Sequence, residues 1–211
     1  MNLLLFDKNK LKEDDSLLLE GAALRHIREV LRAKPGQRIR VGAIDGNCGT
    51  ARLASLHQNT AHLDDIELSR PGGKLLDADL VLALPRPKMA RRVIESAVQI
   101  GFRSIHLINS WKVDKSYWQS KYLQPTALRE TLIRGAEQAA VTCLPGIHLH
   151  PRFKPFVEDQ LPAMLEGRIG LVGHPDSNQV CPVGICEPSL LRLAPRVALR
   201  PMNWKCLPGP A

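Results

Sequence analysis

The chain has 211 residues, 44% hydrophobic and 24% charged, and its 29 Lys and Arg against 21 Asp and Glu leave a formal net charge of +8. That is the composition of a globular protein of two modest domains. No apolar run nears the ~20 residues that cross a bilayer and Asp7 arrives too early for a secretory leader, so a cytoplasmic protein without membrane contact is expected, its basic excess suited to nucleic acid.

In chain order, residues 3–6 and 17–19 read as short strands. Residues 21–33 carry Leu24, Ile27 and Leu31 at helical spacing, and Lys34-Pro35-Gly36 ends that helix. Residues 38–44 alternate before the turn Asp45-Gly46-Asn47, and 51–56 and 60–68 complete a small barrel or curled sheet. Residues 1–70 are thus a β-rich first domain with one inserted helix, and Ser69 to Lys74 has linker composition.

Beyond the linker the rhythm changes. Residues 80–84 form a continuous apolar run, as a strand buried on both faces does. Pro87 opens a helix with Met89, Val93, Ala97 and Ile100 on one face, and Gly101 stops it. A strand at 104–108 follows, then a helix at 126–143 with Leu128, Leu132, Ala136 and Ala139 on its apolar side, closed by Pro145-Gly146. Strands at 147–149 and 168–172 flank a short helix at 157–165. Strands alternating with helices mean an α/β domain with a mainly parallel sheet.

No phosphate-cradling glycine loop, paired metal-binding histidines or nucleophile elbow occurs. The five cysteines lack regular spacing. Cys181, Cys186, Cys206 and His174 are zinc-ligand types without a second close pair, so neither a disulfide framework nor a metal is expected. Two basic groups stand out. Arg25, Arg28 and Arg32, with His26 and Lys34 nearby, form a row along the first helix that suits phosphates, or else a solvated helix face. Arg86 and Lys88 sit where a strand ends and a helix begins, the edge at which open α/β sheets bind ligands and a helix N-terminus favours anions. The stretch Ser110 to Ser120 mixes aromatic rings with lysines, which suits unpaired bases or a packed loop.

These segments carry a resemblance. Arg25-His26-Ile27-Arg28-Glu29-Val30-Leu31-Arg32 with Pro35-Gly36 resembles the signature of the PUA-like domain that opens the bacterial 16S ribosomal RNA uridine-N3 methyltransferases of the SPOUT superfamily. Leu82 to Met89, Leu107 to Ser110, Lys115 to Ser120, Glu137-Gln138, Arg152 to Asp159 and His174-Pro175 are similar to a bacterial branch of that family, so the likeness runs over residues 1–182. It implies a PUA-like RNA-binding domain over 1–70 and a SPOUT methyltransferase domain over 75–182. It further implies a homodimer, S-adenosylmethionine as methyl donor and small-subunit ribosomal RNA as substrate. Arg25, His26, Arg28, Arg32, Lys34, Arg86 and Lys88 then face RNA, and His174, Glu137 and Gln138 face the donor. A non-catalytic RNA-binding remnant of the family and a basic enzyme for a small anionic metabolite are the competing readings.

Residues 183–211 depart from the pattern. The family's Gly-Pro-Glu-Gly-Gly and Arg-Ile-Leu-Arg-x-Glu-Thr loops do not occur, and prolines recur at 182, 188, 195, 201, 208 and 210. Written as TTG GCC CCG AGG GTG GCT, Leu193 to Ala198 reads Gly-Pro-Glu-Gly-Gly when shifted by two bases, and Pro201 to Lys205 likewise yields Tyr-Glu-Leu-Glu. A reading-frame shift near Cys181 to Glu187 is therefore expected, with an aberrant, disordered tail and an incomplete trefoil knot.

Overall fold

A computed structural model describes residues 3–13, 15–173 and 189–193. Two five-stranded sheets organise it. The first runs β1 (Leu4–Phe6), β3 (Arg38–Ala43), β4 (Cys48–Leu56), β5 (Ala61–Arg70) and β2 (Leu17–Leu19) in spatial order. Its pairs are antiparallel except β1 on β3, and three register shifts curl the long β4–β5 ladder. The second sheet is parallel throughout. Its order is β8 (Gly146–His150), β7 (Ser104–Ile108), β6 (Ala78–Ala83), β10 (Ser189–Leu193), β9 (Ile169–Gly173).

The first helix departs from the expectation of a regular α-helix. Gly21–Arg25 is α-helical (α1), but His26–Leu31 widens into a π-helical turn that ends on Arg32 in the left-handed region, φ 49. The wider turn still buries Leu24 and Ile27 in the first core, while Val30 is half exposed.

In the second domain, α2 (Pro87–Ile100) lies against α3 (Pro125–Ala139). The expected apolar face of α2 holds at Val93 and Ala97 and fails at its ends. Ala90, Ile94, Ala97 and Val98 are buried, whereas Met89 and Ile100 lie exposed. The helices approach closely at Gly135, where a Cβ would stand 3.0 Å from the Glu95 carbonyl and from Val98. Helix α3 stops at Ala140 in the left-handed region, φ 58, short of the expected 143. Three short helical pieces, α4 (Phe153–Pro155), a π turn (Phe156–Gln160) and α5 (Leu161–Leu165), cover the sheet's other face through Phe156.

Strand β10 corrects the reading of the tail. Ser189–Leu193, inside the stretch expected to be aberrant, pairs with β6 on one side and β9 on the other, with Leu191 opposite both Leu80 and Leu171. The gap between Pro188 and Pro195 leaves room for a five-residue strand, a typical length. The rest of the expected disordered tail lies outside the described residues, as does the expected knot. Among the described residues no helix is long and apolar enough to cross a membrane.

The two sheets meet through β1. Leu4 and Phe6 point into the first core, while Leu3 and Leu5 belong to the second, as the two-residue period of a strand requires. Because β1 is an edge strand, its outer N–H groups need acceptors. Helix α3 supplies both from one residue: the Leu5 N–H donates to Glu137 Oε1 at 3.1 Å and the Leu3 N–H to the Glu137 carbonyl at 3.1 Å. The other carboxylate oxygen lies 3.0 Å from His26 Nδ1. The expected linker is part of this joint. Gly72 packs so closely on Thr142 that a Cβ there would overlap the threonine hydroxyl and the Gly46 carbonyl. Glu137→Ala should orphan two buried donors and cost roughly 2–5 kcal/mol in chemical denaturation, with Glu137→Gln costing less. A midpoint unchanged by Glu137→Ala would contradict this.

Candidate functional site

Three groups of polar side chains lie outside the cores. On the first domain, Arg25, Arg28, Arg32 and Lys34 are all exposed, and among the described residues none has a carboxylate in ion-pair range. The Arg28 guanidinium donates to the His57 carbonyl, which ties the π turn to the β4–β5 hairpin. His26 does not join this face. Its imidazole is 12% exposed and turned onto Glu137, so it cannot reach a phosphate, and its Nε2 is buried without a partner among the described residues. The expectation of His26 as an RNA contact gives way to a role in the joint.

The second group stands at the carboxyl ends of β6 and β7. The Leu84 N–H donates to the Ile108 carbonyl at 2.9 Å, which holds the two exits side by side. Arg86, exposed, precedes α2, and Pro87 fills its first turn. Lys88 is exposed as well. From the β7 exit, Asn109 Oδ1 accepts from the Ser110 N–H at 3.0 Å and from Trp118 Nε1 at 3.4 Å. Tyr117, Trp118 and Val113 pack on the second core. The two readings of this loop therefore divide by residue: Trp118 is a packing ring, and Trp111 stands 85% exposed beside Lys112.

The third group went unread in the sequence. The face of the sheet opposite α2 and α3 carries a polar ladder. The Asp79 carboxylate accepts from Arg103 Nε at 3.1 Å, Ser104 Oγ at 2.6 Å and the Arg168 guanidinium. Ser104 Oγ lies 3.1 Å from His106 Nε2, and His106 Nδ1 lies 3.0 Å from His150 Nε2. His148 stacks on His106 with ring centroids 4.6 Å apart, and Phe156 covers His150 at 4.5 Å. Burial first, and then the neighbouring His148 and His150, push the His106 imidazole down to about 4. Burial, and then His148, also lower His150. Burial works to raise Asp79, but the hydrogen bonds from Arg103, Ser104 and Arg168 prevail and hold it at about 2. The signal was present in the alternation of Ser104, His106 and of Gly146, His148, His150, which sets these side chains on one sheet face.

Of the residues expected around a methyl donor, His174 lies outside the described residues. Glu137 spends both carboxylate oxygens inside the joint, and Gln138 accepts from Gln99 Nε2 at 2.9 Å on the α2–α3 surface. Of the two that are described, Glu137 is held where β1 needs it and Gln138 lies on the α2–α3 surface.

Comparison with known proteins bears on this arrangement. Residues 73–183 match the family model described as RNA methyltransferase domain. The chain is 29% identical over 157 residues to ribosomal RNA small subunit methyltransferase E of Treponema pallidum, covering 74% of this chain and 59% of that protein. It is 26% identical over 154 residues to ribosomal RNA small subunit methyltransferase E 1 of Borreliella burgdorferi, covering 73% and 63%. The match thus spans about three fifths of the length of these relatives. Among solved structures, ribosomal RNA small subunit methyltransferase E of Neisseria gonorrhoeae bound to S-adenosyl methionine superposes with a TM-score of 0.68 at 19% identity, over 92% of this chain and 78% of that one. A Legionella pneumophila protein described as a methyltransferase with its bound cofactor superposes equally well, TM-score 0.68, at 15% identity over 90% and 78%. Identities this low show a shared fold.

The ladder sets a pH dependence. Folding favours the neutral His106 imidazole, so its contribution is complete above the unfolded value of about 6.5 and is lost as pH falls toward about 4. Asp79 acts in a lower window, contributing above 3.8 and losing that contribution as pH falls toward 2. The melting temperature should therefore fall on mild acidification, and His106→Gln should flatten that fall. An unaltered acid limb in the variant, followed by circular dichroism, would contradict the assignment.

Proposed function

Because the chain belongs to the RNA methyltransferase domain family, we propose that it transfers a methyl group from S-adenosylmethionine to N3 of a uridine in the 16S ribosomal RNA of the small subunit. The observation that carries this reading is the family match over 73–183, which takes in the parallel sheet from β6 to β9. The relatives named as ribosomal RNA small subunit methyltransferases supply the substrate class, and the cofactor-bound neighbours supply the donor. The first domain serves as the PUA-like RNA-binding module. The working form is a cytoplasmic homodimer whose second domain is a SPOUT knot.

The chain's own residues divide the work. Arg25, Arg28, Arg32 and Lys34 hold phosphates along the first domain, each contact adding affinity and salt dependence. Arg86 and Lys88 hold the RNA beside the carboxyl ends of β6 and β7, where an open sheet receives its ligand. S-adenosylmethionine, when bound, supplies an electrophilic methyl group. N3 of uracil is a weak acid whose proton must leave as the methyl arrives, so the reaction depends on close positioning of the two partners.

The donor's own loop is the part that this reading takes from the shifted frame. In that frame, codons chosen among those allowed from Glu187 onward give Ala-Val-Thr-Val-Ala-Leu, followed by Gly-Pro-Glu-Gly-Gly. The position of β10 supports it: Ser189–Leu193 is an interior strand between β6 and β9, and the shifted reading sets the glycine-rich loop directly after residues 189–193. The carboxyl end of an interior strand is where an open parallel sheet receives a ligand.

The test compares the chain as written with the chain re-read in the shifted frame from 181–187 onward. Both should bind small-subunit RNA, and the Arg25, Arg28 and Arg32→Ala triple variant should lower the salt slope by about one for each phosphate left without its arginine. Only the re-read chain should bind S-adenosylmethionine in calorimetry and transfer its methyl group. Turnover by the chain as written would overturn the shifted-frame reading. RNA binding without transfer by either chain would favour a non-catalytic RNA-binding protein.

A further inference from the structure

The loop that leaves β7 ends in an aromatic ring that packing does not explain. The Val113 N–H donates to the Ser110 carbonyl at 3.0 Å, which closes a tight turn with Trp111 and Lys112 at its tip. Both feet of this turn are anchored. Ser110 is held by the Asn109 side chain, and Val113 packs on the second core. Downstream, Asp114 caps the following helical turn by accepting from the Ser116 N–H at 2.8 Å. Trp111 is therefore presented on a fixed support, with 85% of its surface left in water. Such exposure of the largest side chain wastes its apolar area unless something covers it.

The surroundings indicate what covers it. Lys112, Lys115 and Lys121 are exposed on the same loop, and Arg86 and Lys88 are exposed at the neighbouring strand exit. Among the described residues none of these five cations has a carboxylate in ion-pair range, and Asp114 is the acidic residue of the loop. An apolar protein surface has no need of this uncompensated positive charge. An unpaired nucleobase with its flanking phosphates matches both features, since every base offers a flat face to an indole and its backbone offers anions to lysines.

We propose that Trp111 is a stacking platform for an unpaired base of the bound RNA, on a turn that the Asn109 side chain and the packed Val113 hold in place. This rests on the RNA substrate of the proposed function. The base it takes is a neighbour of the reacting one, because the platform stands at the exit of β7, two strands from β10, after which the proposed donor loop follows. Trp111 is thus a positioning residue: it holds the strand while the reacting base enters.

The test uses the full chain with Trp111→Ala and Trp111→Phe, and a single-stranded uridine-rich RNA alongside the duplex of the same sequence. Trp111→Ala should weaken binding of the single strand roughly tenfold and leave duplex binding and the melting temperature unchanged, while Trp111→Phe retains most of the affinity. If the parent chain binds RNA with a steep salt slope and Trp111→Ala binds the single strand equally well, stacking is refuted and the RNA reading stands. A change in oligomeric mass on Trp111→Ala, with RNA affinity intact, would reassign the ring to a contact between copies and overturn the proposal. Failure of the parent chain to bind either RNA would overturn both readings.

Discussion

Strand β1 has three residues, Leu4–Phe6, and the whole molecule is arranged around how its edge is closed. Its side chains alternate between two cores, so neither core is complete without it. The N–H groups of Leu5 and of Leu3 just before it face away from the first sheet toward α3, and a bare sheet edge buried there would leave them unpaired. Glu137 removes that cost with its backbone carbonyl and one carboxylate oxygen, and its second oxygen reaches His26 at the start of the π turn. One residue of the methyltransferase-family segment therefore fixes the first strand of the chain and the helix that carries the basic face.

This coupling has a functional consequence. In the proposed function, phosphate contacts on Arg25, Arg28 and Arg32 would position an RNA relative to the first domain, and methyl transfer at the second sheet would gain only if the two parts hold one geometry. The joint supplies that mainly through close packing, with the exposed Asp7–Arg129 pair at its rim. The turn at Asp45 and Gly46, the glycines at 72 and 73 and the segment 140–144 interlock there, with the Asp45 N–H donating to the Thr142 carbonyl at 3.0 Å and the Leu144 N–H to Asp45 Oδ1 at 3.0 Å. A linker in composition is a fixed hinge-pin in structure. The polar ladder under Phe156 stands on the far face of the sheet, where Asp79 gathers Arg103 and Arg168 and ties β9's entry to β6.

How much of this the sequence revealed depended on the range of the interaction involved. Period-two alternation and helical spacing are local, and they marked the strands at 3–6, 38–44, 80–84 and 104–108 and the helices that begin at Pro87 and Pro125. The face of α2 was legible in part: Val93 and Ala97 lie on the packed side as expected, while Met89 and Ile100, apolar and near the helix ends, are exposed. The π turn was not legible in local spacing, and its first residue, His26, meets Glu137, 111 positions away. Glu137 itself looked like a ligand contact, since nothing local shows that a strand edge waits for it. β10 was hidden by the prolines around it, although Leu190, Leu191 and Leu193 gave an apolar run of strand type.

Glu137 closes the edge of β1 and so ties the first sheet to the second. Amide hydrogen exchange tests this closure most directly. In the parent chain the Leu3 and Leu5 amides should be protected as strongly as those of interior strands such as β3 and β6, and in Glu137→Ala that protection should collapse at Leu5 while β6 stays protected. Rapid exchange at Leu3 and Leu5 in the parent chain, as at any free strand edge, would contradict the account.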